Sequence, residues 1–105
     1  MTLEQIAEML EKTNLPVAYR KWAEGQVPEL PYIIYYADRT DNFKADNRVY
    51  HKIQDVSIEL YTNTKNTREE NKIEALLDAN KLEWDAYEQD IESENMFEVL
   101  YEISL

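Results

Sequence analysis

The stretch that decides the fold is PYIIYYADRTDNFKADNRVYHKIQDVSIELYT, residues 31–62. At its start, Tyr32-Ile33-Ile34-Tyr35-Tyr36 is a compact β-branched and aromatic run, the composition that suits a pleated, half-buried surface. At its end, Val56-Ser57-Ile58-Glu59-Leu60-Tyr61 alternates strictly. Val56, Ile58 and Leu60 point one way, and Ser57, Glu59 and Tyr61 the other. Between the two runs lie the nineteen residues Ala37 to Asp55, too many for a tight hairpin loop. This excursion is rich in turn formers: Asp38, Asp41, Asn42, Asp46 and Asn47. Val49, His51 and Ile53 alternate with Tyr50, Lys52 and Gln54, so the closing strand is expected to begin near Arg48, with a bulge at Gln54-Asp55. That arrangement is a long hairpin with Phe43 near its tip. An aromatic there either staples the loop back or contacts a partner.

Upstream, Thr2 to Thr13 reads as an amphipathic helix. Leu3, Ile6, Met9 and Leu10 share one face, and Thr2 with Gln5 matches a capping box. Asn14 and Pro16 stop it. Val17 to Trp22 forms a short strand, and Gly25, Pro28 and Pro31 punctuate a turn into the central stretch. Downstream, Thr67 to Lys81 reads as a second helix. Thr67 and Glu70 form its capping box, and Ile73, Leu76, Leu77 and Asn80 its buried stripe. Trp84 to Ile91 and Met96 to Leu105 then make a hairpin around the polar tip Glu92-Ser93-Glu94-Asn95. The order predicts a single α+β domain over residues 1–105. Its sheet is mainly antiparallel, of four to five strands, with two helices packed on one face.

Composition narrows the function. The chain of 105 residues is 44% apolar, enough for a folded core. It has no cysteine, which removes disulfides, thiolate metal sites and thiol catalysis. The first residues lack a basic export signal, and no apolar run approaches the roughly 18 residues of a membrane span, so neither export nor insertion is expected. A formal net charge of −11 repels phosphate backbones and reads against direct nucleic-acid binding. The single glycine leaves no phosphate-cradling loop.

Nothing in the sequence carries a catalytic signature, and no cofactor or metal is expected. His51, the only histidine, has no nucleophile turn near it. Asp38 with Asp41, and Asp90 with Glu92 and Glu94, lack the glycine and spacing of a calcium loop and read as solvated turns. The tyrosine excess says more. Tyr32, Tyr35, Tyr36, Tyr50, Tyr61, Tyr87 and Tyr101 fall in expected strands, and Tyr19 in a short one. On a one-layer sheet, tyrosines on the face away from the helices offer large contact area with a polar tip. The alternative is ordinary cross-strand packing. The contact reading selects Tyr35, Tyr36, Phe43, Tyr50 and Tyr61.

On Leu30-Pro31-Tyr32-Ile33-Ile34-Tyr35-Tyr36, the excursion ending in Val49-Tyr50, and Val56-Ser57-Ile58-Glu59-Leu60-Tyr61-Thr62, the chain resembles the small tail-completion proteins of long-tailed bacteriophages and prophages. These are also called tail-to-head joining or tail-terminator proteins. The helix opening Thr67-Arg68-Glu69-Glu70 and the hairpin from Trp84 to Leu105 follow in the same order, so the likeness spans nearly the whole length. It implies a non-enzymatic virion protein, made in the bacterial cytoplasm, that forms a homo-oligomeric ring, usually a hexamer. Such a ring caps the tail tube and docks it to the head connector, and DNA passes through the lumen without specific binding. The contacts it implies are a long loop between the second and third strands and the edges of the sheet. Two other functions fit the residues: a head-completion or connector adaptor, and a small acidic inhibitor of a host protein.

Overall fold

The computed structural model describes the backbone of residues 1–45 and 48–105 and the side chains of residues 1–37 and 54–105. Helix α1 spans Leu3–Glu11. Its capping box forms as expected: the Thr2 hydroxyl accepts from the Gln5 N–H at 3.1 Å, and the Gln5 side chain accepts from the Thr2 N–H at 2.9 Å. The helix ends where Asn14 takes a left-handed φ of 65°, a conformation asparagine tolerates better than most residues. Thr13, 2% exposed, closes this end by donating to the Leu10 carbonyl and accepting from the Leu15 N–H.

Strand β1 (Val17–Tyr19) lies parallel to β2 (Tyr32–Ala45), with Val17 opposite Ile33. The sequence suggested only a turn between them. Parallel strands need a crossover of about a dozen residues, and residues 20–31 supply one, so the punctuation at Gly25, Pro28 and Pro31 belongs to a crossover. Strand β3 (Arg48–Thr62) pairs antiparallel with β2, from Tyr32 opposite Tyr61 to Ala37 opposite Val56. The expected bulge at Gln54-Asp55 sits on the other strand. Ala37 pairs with Val56 and Arg39 with Asp55, which makes Asp38 of β2 the extra residue. The connection at residues 46–47 lies outside the described residues.

Helix α2 spans Thr67–Ala79. Its cap is Asn66, whose side-chain oxygen accepts from the Glu69 N–H at 3.2 Å, so the start is one residue before the Thr67–Glu70 box read from sequence. Asn80 is likewise no part of the buried stripe. It is the exposed C-cap, and its side-chain amide donates to the Leu76 carbonyl at 2.8 Å. Strand β4 (Trp84–Ile91), a 3-10 turn at Glu92–Glu94 and β5 (Met96–Ser104) complete the chain.

The sheet order is β1-β2-β3-β5-β4. The fold is thus α+β with a five-stranded mixed sheet, antiparallel except for β1 on β2. Ile6, Met9 and Leu10 of α1 and Ile73 and Leu77 of α2 share one core cluster with Ile33, Val56, Ile58, Leu60, Val99 and Tyr101. These strand residues lie on one sheet face by register, so both helices cover that face. Lys65 ties the layers together. Its ammonium reaches the nearly buried Glu70 at 2.8 Å, pairs with Glu88 of β4, and lies 5.9 Å from the Phe97 ring centre.

Candidate interaction surface

The sheet face away from the helices is set by the same pleat that builds the core. Tyr32, Ile34 and Tyr36 of β2 stand across from Tyr61, Glu59 and Ser57 of β3, and Glu98, Leu100 and Glu102 of β5 continue the rows. One end of this face is covered by the chain itself. The crossover brings Trp22 edge-on to Tyr32, with ring centres 5.6 Å apart, and Tyr32 stacks tilted against Tyr61 at 5.3 Å. Tyr32 is consequently buried, at 8% exposed, and Ile34 on the same face is 5% exposed. The expectation of a wholly open tyrosine face is corrected to a face half-covered by residues 20–31.

Not all the tyrosines belong here. Tyr35 points to the helix side and packs edge-on against Tyr19 at 5.1 Å. Tyr101 is fully buried in the core, where its hydroxyl donates to the Glu74 carboxylate at 2.8 Å. The side chains of Phe43, Tyr50 and His51 lie outside the described residues. Of the five residues selected from sequence, the structure brings together Tyr36 and Tyr61. They meet at a residue the sequence reading passed over. One Glu59 oxygen accepts from the Tyr36 hydroxyl at 2.7 Å, and the other accepts from the Tyr61 hydroxyl. Tyr36 is diagonal to Glu59 across the strands, and Tyr61 is two residues along the same strand. An acid flanked by same-face aromatics is the signal that could have found it.

Glu98 stands beside this group. Burial, and then the negative charge of Glu59, hold its carboxyl above the usual carboxylate range. The Tyr61 phenol is also pushed up, first by burial and then by its bond to Glu59, so it stays a hydrogen-bond donor throughout the physiological range. A carboxyl raised in the folded state binds its proton more tightly there than in the unfolded chain. Its ionisation therefore costs stability above the folded pKa, and the cost fades as pH falls toward the unfolded value. Glu98→Gln is accordingly expected to raise the melting temperature at pH 7 by about 2–4 °C, the size of an effect near 0.5 kcal/mol in a domain this small. The gain should vanish near pH 4, and a gain that persisted there would show another origin.

Two further features border this face. Strand β4 ends the sheet, and its residues 85–90 are all exposed, so the helix layer does not extend over it. At its foot an open groove of about 840 Å³ is lined by Asp55, Lys81, Trp84, Asp85 and Glu102, among others. Among the described residues no group of three or more histidines or carboxylates is placed to hold a metal ion. None of their helices is long and apolar enough to cross a membrane. Compared with protein-family models and with curated proteins, the sequence matches none of them.

Proposed function

We propose that the protein is a structural virion component that caps a phage tail tube and joins it to the head connector as a homo-oligomeric ring. The observation that carries this reading is β4, an edge strand exposed along six consecutive residues and free of helix cover. Such an edge accepts a strand from a neighbour, and a heterologous contact of that kind closes into a ring when its rotation divides a full turn. The half-covered tyrosine face, with Tyr36 and Tyr61 pinned by Glu59, is a preorganised surface for the tube or connector protein. In this reading β2 and β3 form one long hairpin that reaches adjoining subunits. The net charge of −11 suits a lumen through which DNA slides without adhering.

Electron micrographs of particles made without this protein test the reading. The expected result is full heads separate from tails, with overlong or unjoined tubes; normal virions would refute it. Sedimentation of the protein with DNA-filled heads instead of tails would assign it to head completion. A second reading, an acidic inhibitor of a basic host protein, is favoured by residues 82–105, which carry eight acids and no lysine or arginine. It predicts competition with DNA for a basic partner and intact virions in its absence.

A further inference from the structure

The two edges of the sheet differ in charge. The β4 edge belongs to a hairpin with Glu83, Asp85, Glu88, Asp90, Glu92, Glu94, Glu98 and Glu102 and no cation. The opposite edge is β1, and residues 15–23 around it hold Arg20 and Lys21 and no acid. Both cations are exposed. Arg20 is also fixed in place. Its backbone N–H donates to the Tyr35 carbonyl at 2.8 Å, and its guanidinium lies 5.3 Å from the Tyr36 ring centre and donates to the Ala37 carbonyl at 3.2 Å. The charge is held at the rim without the entropy loss of ordering a free side chain on docking.

We propose that the β4 edge of one copy docks on the β1 edge of a second copy, its exposed acids Asp85 and Asp90 setting the negative charge of that edge against the positive rim of Arg20 and Lys21. The inference rests on the ring reading for its biological setting and adds the two surfaces that meet. Two physical arguments select this pairing. A β4 edge laid against another β4 edge would bring Asp85 and Asp90 of one copy against those of the other, and like charges across a strand pair are destabilising. An isologous dimer through β4 is thereby disfavoured, while the cationic rim is complementary. The contact is also heterologous, so each subunit keeps one acidic and one cationic edge for the next, as a closed ring requires. Glu88 is left out of the set because it already pairs with Lys65.

The design that tests this is a charge swap on the full chain, read by sedimentation velocity at low salt up to millimolar concentration. Wild-type protein should self-associate, and added salt should weaken the association. Asp85→Lys/Asp90→Lys and Arg20→Glu/Lys21→Glu should each weaken it at least about tenfold alone. An equimolar mixture of the two variants should recover it, because every contact then pairs opposite charges again, alternating around the assembly. Folding of the first variant is not at risk: Asp85 stands directly across from Glu102, so a lysine there removes a like-charge pair. Circular dichroism melts check the second, which loses the Arg20 contacts. Variants that associate as tightly as wild type, or a mixture that fails to recover, would overturn the edge pairing while leaving the ring reading standing. Wild-type protein that stays monomeric throughout would remove a second copy as the occupant of β4, whereas the ring reading is decided separately by the micrographs.

Discussion

Tyr101→Ala is expected to cost about 4 kcal/mol, most of the margin of a domain whose whole stability lies near 5–15 kcal/mol. Tyr101 is 0% exposed and pairs with Ile58 on one side and Ala86 on the other. Its ring meets Trp84 edge-on at 5.6 Å. Removing it opens a cavity between the sheet and α2 that neighbouring strands cannot collapse to fill. Tyr101→Phe separates the ring from the hydroxyl. It keeps the packing and forfeits only the 2.8 Å bond to Glu74, which water can partly replace because Glu74 is half-exposed. That loss should be about 1 kcal/mol. Urea titrations read both values, with the midpoint falling and the slope unchanged. An alanine variant within 1 kcal/mol of wild type would mean that Tyr101 is not in the core.

Tyr101 and Tyr35 show how much the alternation of a strand carries. The alternation Phe97, Val99, Tyr101, Ile103 places the tyrosine with the buried set, and the structure agrees with the period. Residue type places Tyr35 among the contact residues, yet its parity with Ile33 puts it on the helix side. Where one face of a strand is buried, the period of two is the stronger signal. The helices were legible for a related reason: their apolar stripes and caps are local. Both departures are at the ends of α2, where Asn66 and Thr67 are both competent N-caps and Asn80 caps the C-terminus instead of joining the stripe.

Other features were not local, and the sequence was silent on them. That β1 runs parallel to β2 follows from a crossover whose path depends on Trp22 meeting Tyr32. That β4 is exposed on both faces depends on where α2 ends relative to the sheet, and Trp84-Asp85-Ala86-Tyr87 reads the same either way. Glu59 looked like an ordinary solvent-facing residue until the cross-strand register set Tyr36 diagonal to it. The site was thus half legible. Its aromatics follow from composition and its organising carboxylate follows only from pairing.

Glu59→Ala should destabilise the protein by about 2 kcal/mol at pH 7, the balance of two opposed effects. The carboxylate accepts two phenol hydrogen bonds, each charge-assisted and each made by a half-buried tyrosine. Losing both leaves two hydroxyls to find water at the rim of the crossover, and that dominates. Opposing it is the relief of Glu98, whose carboxyl no longer ionises beside a second negative charge; because burial is the larger cause of its elevation and remains, this relief is only about 0.2 kcal/mol. Glu59→Gln distinguishes the two contributions. It keeps the volume and one good acceptor while deleting the charge, so its cost should be about half that of alanine. In that variant the Glu98 titration, followed by NMR of its carboxyl carbon, should move down toward the ordinary carboxylate range. It should stop short of that range, because burial is the larger cause of its elevation and remains. A Glu98 titration unchanged in Glu59→Gln would mean that burial alone sets it and that the two carboxylates do not sense each other. Unchanged stability in Glu59→Ala would mean that Tyr36 and Tyr61 are held by packing, so that this face carries its tyrosines without the acid that joins them.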